Sequence, residues 1–201
     1  MSNDTYSSFA ELEKDEDKKS YNITCDMKNR SSVYAIMAPH GGKIEPGTTE
    51  VSIAIARNDL SLYIFDANKP NKNKNLHITS SRFDEPKCEK MLVNVETVLA
   101  IHGAADPDGD PKEIVWVGGN LRKTFEIHLK EKLGPLGFLV EFNHKFAGEE
   151  PRNICNRGTS QQGMQLELTK SLRERLKGDA GLLSKFSDAV RTAMMLTYPT
   201  N

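Results

Sequence analysis

Short apolar runs alternate with helix-like segments along this chain, and that alternation constrains the possible fold more than any other feature. Apolar runs bounded by Gly, Pro or Asn are typical of buried strands. Strands separated by helices favour a parallel or mixed sheet with helices on both faces. We therefore expect an α/β fold with three α/β/α layers around a mixed, mostly parallel sheet. The predicted strands cover, in chain order, 21–27 (at a sheet edge), 33–37, 61–65, 76–80, 96–101, 113–117, 138–142 and 164–168.

Helix signals fill most of the intervals between these strands. Ser8 and Glu11 have the spacing of a capping box, which predicts a short helix ending near Lys14. We expect residues 1–20 to form a helical extension of a single domain that spans 1–201. The other predicted helices cover 50–56, 84–93, 121–133, a segment that starts at Ser171, and 182–196. The apolar residues expected to face the core from the helix at 121–133 are Leu121, Phe125, Ile127 and Leu129.

Length and charge exclude some classes of partner. A chain of 201 residues is long enough for one domain that buries roughly 70% of its unfolded surface. Its 27 Lys and Arg residues nearly balance its 28 Asp and Glu residues, which leaves a net charge of -1. That balance provides no bulk attraction to nucleic acid or to an anionic membrane, so we expect neither as a partner. We expect a monomer, because the sequence contains no coiled-coil pattern.

The sequence also lacks the usual signals for membrane insertion. No apolar run approaches the roughly 20 residues of a transmembrane helix, and the polar N-terminal region lacks the apolar core of a signal peptide. We therefore expect a cytoplasmic protein without a signal peptide. The three cysteines, Cys25, Cys88 and Cys155, are widely spaced and match neither a zinc ribbon nor a disulfide framework. We expect free thiols.

A histidine and a glutamate follow the predicted strand at 33–37 in a glycine-rich loop. His40 and Glu45 are five positions apart and would point about 140° apart on a helix, so they can meet only in a loop. The two glycines after His40 allow positive φ, and Pro46 disfavours a helical conformation at Glu45. Loops at the carboxyl ends of strands are where α/β sheets carry ligand sites.

A second histidine and a second glutamate complete the candidate site. His102 follows the apolar strand at 96–101. Two histidines and one carboxylate with an open fourth position are a common catalytic zinc set, although spacing alone also suits cobalt or manganese. Glu167 interrupts the apolar strand at 164–168, so its carboxylate needs a cation, a metal or a polar pocket. The alternatives are a hydrogen-bonded structural role for His40 and a solvent-exposed strand face for Glu167.

Seven short segments, spread in order over about residues 21 to 175, carry a resemblance to a known family. They are APHGGKIEPGTTE (38–50), SLYIF (61–65), LHITSSRFDEP (76–86), VLAIHG (98–103), WVGGN (116–120), NICNRG (153–158) and GMQLELT (163–169). They resemble the poly-γ-glutamate hydrolases of Bacillus and its phages, which are compact relatives of zinc carboxypeptidases. The loop with the pattern His-Gly-Gly-x-Ile-Glu is the most specific part of the match.

The resemblance implies a carboxypeptidase-like α/β core and one zinc ion per chain. It assigns His40, Glu45 and His102 to the zinc ligands and Glu167 to the catalytic glutamate. In such a site zinc lowers the pKa of water to about 7, and a carboxylate passes the water's proton to the leaving amine. The implied reaction is endo-hydrolysis of γ-glutamyl amide bonds in poly-γ-glutamate.

The substrate is a polymer with one free carboxylate per unit, and arginine is suited to carboxylate recognition. Asn156 and Arg157 lie on a long irregular segment at 145–159 and are the preferred candidates, with a surface salt bridge as the alternative for Arg157. Arg82 is a further candidate, although the related sequences tend to have histidine there. His77 fits a structural role and a substrate-facing role equally well.

Two other functions stay open at this stage. A zinc amidohydrolase of a smaller γ-glutamyl or N-acyl substrate would use the same ligands, and a metal-binding module without catalysis would need no Glu167. A phage or prophage enzyme that strips a poly-γ-glutamate capsule would need no signal peptide, because lysis would release it. The lack of a signal peptide also fits a cytoplasmic bacterial enzyme.

Overall fold

The computed structural model describes residues 4–200, and seven of its strands form one mixed sheet. The strands are β1 (Tyr21–Asp26), β2 (Ser31–Gly42), β3 (Leu60–Ala67), β4 (Thr97–Gly103), β5 (Ile114–Gly118), β6 (Leu139–Phe142) and β7 (Met164–Leu168). Their order across the sheet is β1-β3-β2-β4-β7-β5-β6. β1 runs antiparallel to β3 and β5 antiparallel to β7, whereas the other neighbouring pairs are parallel. The prediction of a mixed, mostly parallel sheet is confirmed.

Helices cover both faces of this sheet. They are α1 (Phe9–Asp15), α2 (Thr48–Ala56), α3 (Pro86–Leu92), α4 (Arg122–Leu133), α5 (Lys170–Gly178) and α6 (Ala180–Thr197). Apolar side chains of α2, α4, α5 and α6 pack together on one face, and those of α1 and α3 pack on the other. The three-layer arrangement is therefore confirmed. Among the described residues, no helix is long and apolar enough to cross a membrane.

The short helix α1 forms where its capping residues predict it. The Ser8 side chain accepts a hydrogen bond from the Glu11 amide at 3.3 Å, and the Glu11 carboxylate accepts one from the Ser7 amide at 2.8 Å. Together these bonds satisfy two donors that a helix start would otherwise leave unpaired. Phe9 and Leu12 are buried against the sheet, which attaches the N-terminal extension to the core.

The predicted strand at 76–80 is wrong. Its first residue ends a 3-10 turn, His77 is extended, and residues 77–80 belong to no strand. Side chains take the place of a neighbouring strand here. The Asp4 carboxylate accepts the Thr79 amide hydrogen bond at 2.7 Å, and the Ile78 carbonyl lies 2.8 Å from His40 Nε2.

The expected core position of Ile127 is also wrong, because its side chain is 65% exposed. Phe125, Leu129 and Leu133 are buried at four-residue spacing and form the core stripe of α4. Ile127 is two positions from Phe125 and therefore lies about 200° around the helix, away from that stripe.

β2 is longer than its predicted apolar run of 33–37. It continues through His40 to Gly42, with a register shift between Ala38 and Gly41. Gly42 has φ +61°, and a Cβ there would lie 2.4 Å from the Ala67 carbonyl oxygen of β3. Only glycine suits this position. Its positive φ lets the chain turn back at the end of the strand.

Candidate metal and catalytic site

His40, Glu45 and His102 bring three ligand-type groups together at the carboxyl ends of β2 and β4. The two Nδ1 atoms of the histidines are 3.1 Å apart. Glu45 Oε1 lies 3.2 Å from His40 Nδ1, and Glu45 Oε2 lies 3.7 Å from His102 Nδ1. Both histidines are buried. The sequence-predicted ligand trio is thus brought together by the fold.

Each member of this trio is held by a second contact. His40 Nε2 is 2.8 Å from the Ile78 carbonyl oxygen, so Nε2 carries the proton and the lone pair is on Nδ1. His102 Nε2 lies 3.3 Å from the Ser80 hydroxyl. Glu45 Oε2 accepts the Gly103 amide hydrogen bond at 2.8 Å. Such outer contacts orient the ligands of metal sites.

The spacing of the three groups fits a zinc ion. Two Nδ1 atoms at 3.1 Å place their lone pairs against each other unless a proton or a cation lies between them. Tetrahedral zinc with bonds of about 2.0–2.1 Å places neighbouring ligand atoms roughly 3.3–3.4 Å apart. The separations of 3.1, 3.2 and 3.7 Å lie near that value, with a different Glu45 oxygen facing each histidine. The donor set, two imidazoles and one carboxylate, is one that catalytic zinc sites use.

The charges of the trio depend on one another. Burial opposes ionisation of the Glu45 carboxyl, but the positive charge and hydrogen bonds of the two histidines hold its pKa well below the usual value. Burial also opposes protonation of His102, but the hydrogen bond to Glu45 and the charges of Glu167 and Glu45 together outweigh it, so the pKa of His102 is raised. A cation in this pocket is therefore stabilised by an ionised Glu45.

Glu167 lies beside the trio because of the sheet register. It is paired with His102 across the parallel β4 and β7 strands, so the two side chains project from the same face. Burial raises the pKa of Glu167 to about 7, although the charge of His102 acts against this shift. The Gln165 amide donates a hydrogen bond to Glu167 Oε1 at 3.2 Å. The side chain is buried rather than on a solvent-exposed strand face.

His77 is a second histidine next to His40. Its ring stacks on the His40 ring with centroids 4.0 Å apart, and ligand-type atoms of His40, Glu45 and His77 lie within 4.8 Å of one another. His77 is therefore an alternative to His102 as the third ligand beside His40 and Glu45. Burial, followed by the charge of His40, lowers the pKa of His77 to about 4. His77 is therefore neutral at ordinary pH.

Asp4 fixes the orientation of His77. Its Oδ1 atom lies 2.7 Å from His77 Nδ1, and its Oδ2 atom accepts hydrogen bonds from the Thr79 amide at 2.7 Å and the Thr79 hydroxyl at 2.6 Å. Burial alone would raise the pKa of Asp4, but these hydrogen bonds together hold it well below the usual value. The ionised carboxylate keeps the proton on His77 Nδ1. His77 Nε2 therefore carries the lone pair.

A cavity of about 490 Å³ opens on this site. One wall comes from the irregular segment after β6, in which sequence reasoning named Asn156 and Arg157 but not the residues that line this cavity. His144 and Lys145 lie on this wall, and the Lys145 charge acts against the rise in the pKa of Glu167. Phe146 anchors the wall by stacking on Trp116 with ring centroids 5.2 Å apart. The position of this segment could have indicated His144 and Lys145, but neither residue type is distinctive in a loop.

Three of the sequence-predicted substrate residues, Arg157, Arg82 and Asn156, do not line this cavity. Arg157 donates hydrogen bonds to the Phe83 carbonyl at 2.8 Å and to the Glu89 carboxylate, and it borders a separate cavity of about 620 Å³. The salt-bridge alternative therefore describes its contacts. Arg82 donates to the Asp4 carboxylate at 2.7 Å. Neither arginine lines the cavity at Glu167.

Asn156 is buried and supports the cavity wall from behind. Its side-chain amide donates to the Gly148 carbonyl at 2.7 Å and to the Glu150 carbonyl at 3.1 Å. Its side-chain oxygen accepts the Asn120 amide hydrogen bond at 3.0 Å. The structure thus places Asn156 as a brace for the residues at 148–150, which line the cavity.

Sequence reasoning missed Arg173, whose side chain is buried with 6% exposure. Its guanidinium donates hydrogen bonds to the Leu168 carbonyl at 3.0 Å, the Ala104 carbonyl at 3.0 Å and the Pro46 carbonyl. Each acceptor lies one or two residues after a site residue. No sequence signal marks Arg173, because it lies on an ordinary charged helix, α5, and its partners are backbone atoms far apart in the chain.

Comparison with known proteins identifies the family. A family model described as poly-gamma-glutamate hydrolase matches residues 6–198. This chain belongs to that family. The family predicted from the seven segments is therefore confirmed, and the chain is placed among hydrolases.

Similar proteins support the assignment at the level of sequence and fold. YndL of Bacillus subtilis (strain 168), a UPF0714 protein, is 37% identical over 185 residues, which cover 90% of this chain and 70% of YndL. A bacteriophage poly-gamma-glutamate hydrolase structure is 31% identical with a TM-score of 0.85 and covers 95% of this chain and 96% of its own. A structure described as zinc-free apo YndL is 32% identical with a TM-score of 0.85, with 97% and 99% coverage. The kinship with carboxypeptidases stays a prediction.

Proposed function

We propose that this chain is a zinc-dependent endo-hydrolase of the γ-glutamyl amide bonds in poly-γ-glutamate. The observation that carries the proposal is the convergence of His40, Glu45 and His102 beside the buried Glu167 in an open cavity. Family membership supports the substrate class. The zinc-free description of a YndL structure supports the choice of metal.

His40 and His102 would hold zinc through Nδ1, and Glu45 would hold it through its carboxylate. When bound, zinc supplies a Lewis acid and lowers the pKa of water to about 7. The contacts to Ile78, Ser80 and Gly103 keep the three ligand groups aimed at one point. This preorganisation avoids rearrangement of the ligands when zinc binds.

Glu167 would act as the general base and then as the general acid. Its pKa of about 7 is near neutral pH, where a carboxyl group can both accept and return a proton. Glu167 takes one proton from the attacking water as the water oxygen bonds to the γ-carbonyl carbon. When the carbon–nitrogen bond breaks, Glu167 passes this proton to the departing amine nitrogen. The products are a free γ-carboxylate and a free amine.

The cavity wall would position the substrate. His77 and Lys145 both line this cavity. We propose that Lys145 attracts a substrate carboxylate, because its ammonium group is exposed and near the reacting carboxylate of Glu167. Arg157, Asn156 and Arg82 would act on the substrate only through the structure that they support.

The test is the size of high-molecular-mass poly-γ-glutamate on a gel. We expect the full chain with zinc to shorten the polymer rapidly to a broad range of lengths, with loss of activity after chelation and recovery after zinc is added back. Glu167→Gln keeps the shape of the side chain but cannot accept a proton, so its rate should fall by roughly 10²–10⁴-fold. Glu141→Gln is the matched control, because Glu141 is exposed on β6 and outside the cavity.

Two results would contradict the proposal. Intact polymer in the zinc-loaded sample would exclude this substrate and favour a smaller amide. Full activity of Glu167→Gln would exclude the assigned base while leaving the metal site in place. The zinc content of each variant, measured alongside, distinguishes loss of the base from loss of the metal.

A further inference from the structure

A second cavity of about 640 Å³ lies against the candidate site. It shares Glu45, His77 and Gly103 with the cavity that contains Glu167. Two adjoining recesses therefore meet at Glu45, and the candidate site is not at the bottom of a single pocket. A dead-end pocket would suit the end of a chain, whereas a site between two recesses can accept the interior of a polymer.

The lining of the second cavity combines apolar walls with cationic side chains at its border. The apolar wall residues are Ile44, Pro46, Ala104 and Ala105. Lys74 and Lys170 border the same cavity, and both are exposed. A γ-linked glutamyl unit has two methylene carbons in its main chain and one free carboxylate. Its methylene groups match the apolar walls, and its carboxylate matches an ammonium group at the border.

The charged side chains at this cavity differ in how firmly their present partners hold them. Arg173 borders it, but three backbone carbonyls already occupy the guanidinium. Asp4 is engaged by His77 and Thr79. Lys170 pairs with Glu174 at 3.5 Å, with side-chain exposures of 65% and 67%. Exposed pairs of this kind are weak, so a substrate carboxylate can replace Glu174 as the partner of Lys170.

Lys74 is held at a defined place beside the site. It lies in the 3-10 turn Asn73–Leu76, and its carbonyl accepts the His77 amide hydrogen bond at 3.2 Å. The turn is closed by Asn73, whose side-chain oxygen accepts the Lys69 amide hydrogen bond at 2.8 Å. The backbone of Lys74 is therefore tied directly to a residue that lines both cavities.

From this arrangement we propose that the second cavity binds the γ-glutamyl units on one side of the bond to be cut, with Lys74 and Lys170 as the carboxylate-binding residues. The cavity with Lys145 holds the units on the other side. This inference rests on the proposed function, and it explains how the chain reaches bonds inside the polymer.

The test compares two double variants that remove the same charge. Lys74→Gln with Lys170→Gln changes the second cavity. Lys72→Gln with Lys177→Gln changes the residue before the same turn and a residue of the same helix, both outside the cavity. In the wild type background we measure the KM for long poly-γ-glutamate. We expect the KM to rise on the order of 2- to 30-fold for the first pair, with little change in kcat, and to stay near the wild type value for the second pair.

The Kd for poly-γ-glutamate of defined length, measured in the full-length Glu167→Gln background, separates this inference from the proposed function. A higher Kd for the first pair alone supports the inference, even if the wild type fails to cut the polymer. Equal KM and Kd for both pairs overturn it, even if the wild type cuts efficiently. Unchanged zinc content and unfolding transitions in both pairs show that the fold and the ligand cluster are intact.

Discussion

Replacement of Arg173 by methionine tests how the site is held together. The guanidinium joins three segments, because it donates to the carbonyls of Pro46, Ala104 and Leu168. Pro46 follows Glu45, and Leu168 follows Glu167 in the chain. Ala104 comes two residues after the histidine of β4. One side chain therefore positions the three strand ends that carry the candidate ligands and base.

The expected losses of stability and of zinc affinity follow from these contacts. Each charge-assisted hydrogen bond contributes about 1.5–3 kcal/mol, and the cost of burying the guanidinium offsets part of the sum. Methionine keeps most of the side-chain volume but leaves three carbonyls without this donor. We expect Arg173→Met to lower the free energy of unfolding by about 3–5 kcal/mol, because three carbonyls lose a charged hydrogen-bond donor. Zinc affinity should fall by about 10–100-fold, the usual effect of losing a residue that orients metal ligands.

The assay combines urea unfolding with competition for zinc against a chelator of known affinity. Arg191→Met is the matched control. Its guanidinium donates to the Ile55 carbonyl at 2.6 Å and to the Asp59 carboxylate at 2.7 Å, and thus joins α6 to α2 away from the candidate site. We expect this control to lose stability but to keep its zinc affinity. Wild type zinc affinity in Arg173→Met, with stability reduced, would limit Arg173 to a general structural role and refute its action on the ligands.

Three further predictions address other parts of the chain. Gly42→Ala should lower the free energy of unfolding by about 2–4 kcal/mol in urea, because φ is +61° and the new Cβ would lie 2.4 Å from the Ala67 carbonyl oxygen; an unchanged midpoint would contradict this. Asp4→Asn should cost about 1–3 kcal/mol at pH 6. Because the folded-state pKa of Asp4 is lowered, the wild type advantage should shrink as pH falls below about 4, and a constant difference between pH 6 and 2 would argue against the pairing. Burial raises the pKa values of the Cys88 and Cys155 thiols, so both should resist a thiol reagent at pH 8 until the protein is denatured, and rapid labelling of the native protein would refute their burial.

The candidate ligand trio was accessible from sequence because local chemistry marks it. The His-Gly-Gly-x-Ile-Glu loop combines a histidine, a carboxylate and glycines after an apolar run, and few purely structural loops need all three. His102 was marked in the same way by the end of its strand. Glu167 was marked by its charge between Leu166 and Leu168, which alternate with it and face the opposite side of the sheet. These signals depend on residues that are close in the chain, so they can be recognised without knowledge of the fold.

The surroundings of the candidate substrate residues were harder to predict, because contacts between distant segments decide them. Arg157 lies on the functional loop, yet its guanidinium turns toward Phe83 and Glu89. Lys145 lies on the same loop and turns to the cavity instead. Both are long cationic side chains in irregular segments. The sequence contains no local feature that shows whether such a side chain points into the cavity or away from it.

The sequence by itself determined the alternation of strands and helices, the absence of a strong net charge and the loop that carries His40 and Glu45. Each of these depends on residue type and short-range spacing. Tertiary structure alone decided that β7 lies beside β4, which places Glu167 next to His102, and that the guanidinium of Arg173 reaches three strand ends. These features depend on pairing between segments far apart in the chain, where packing of the whole core selects the partner.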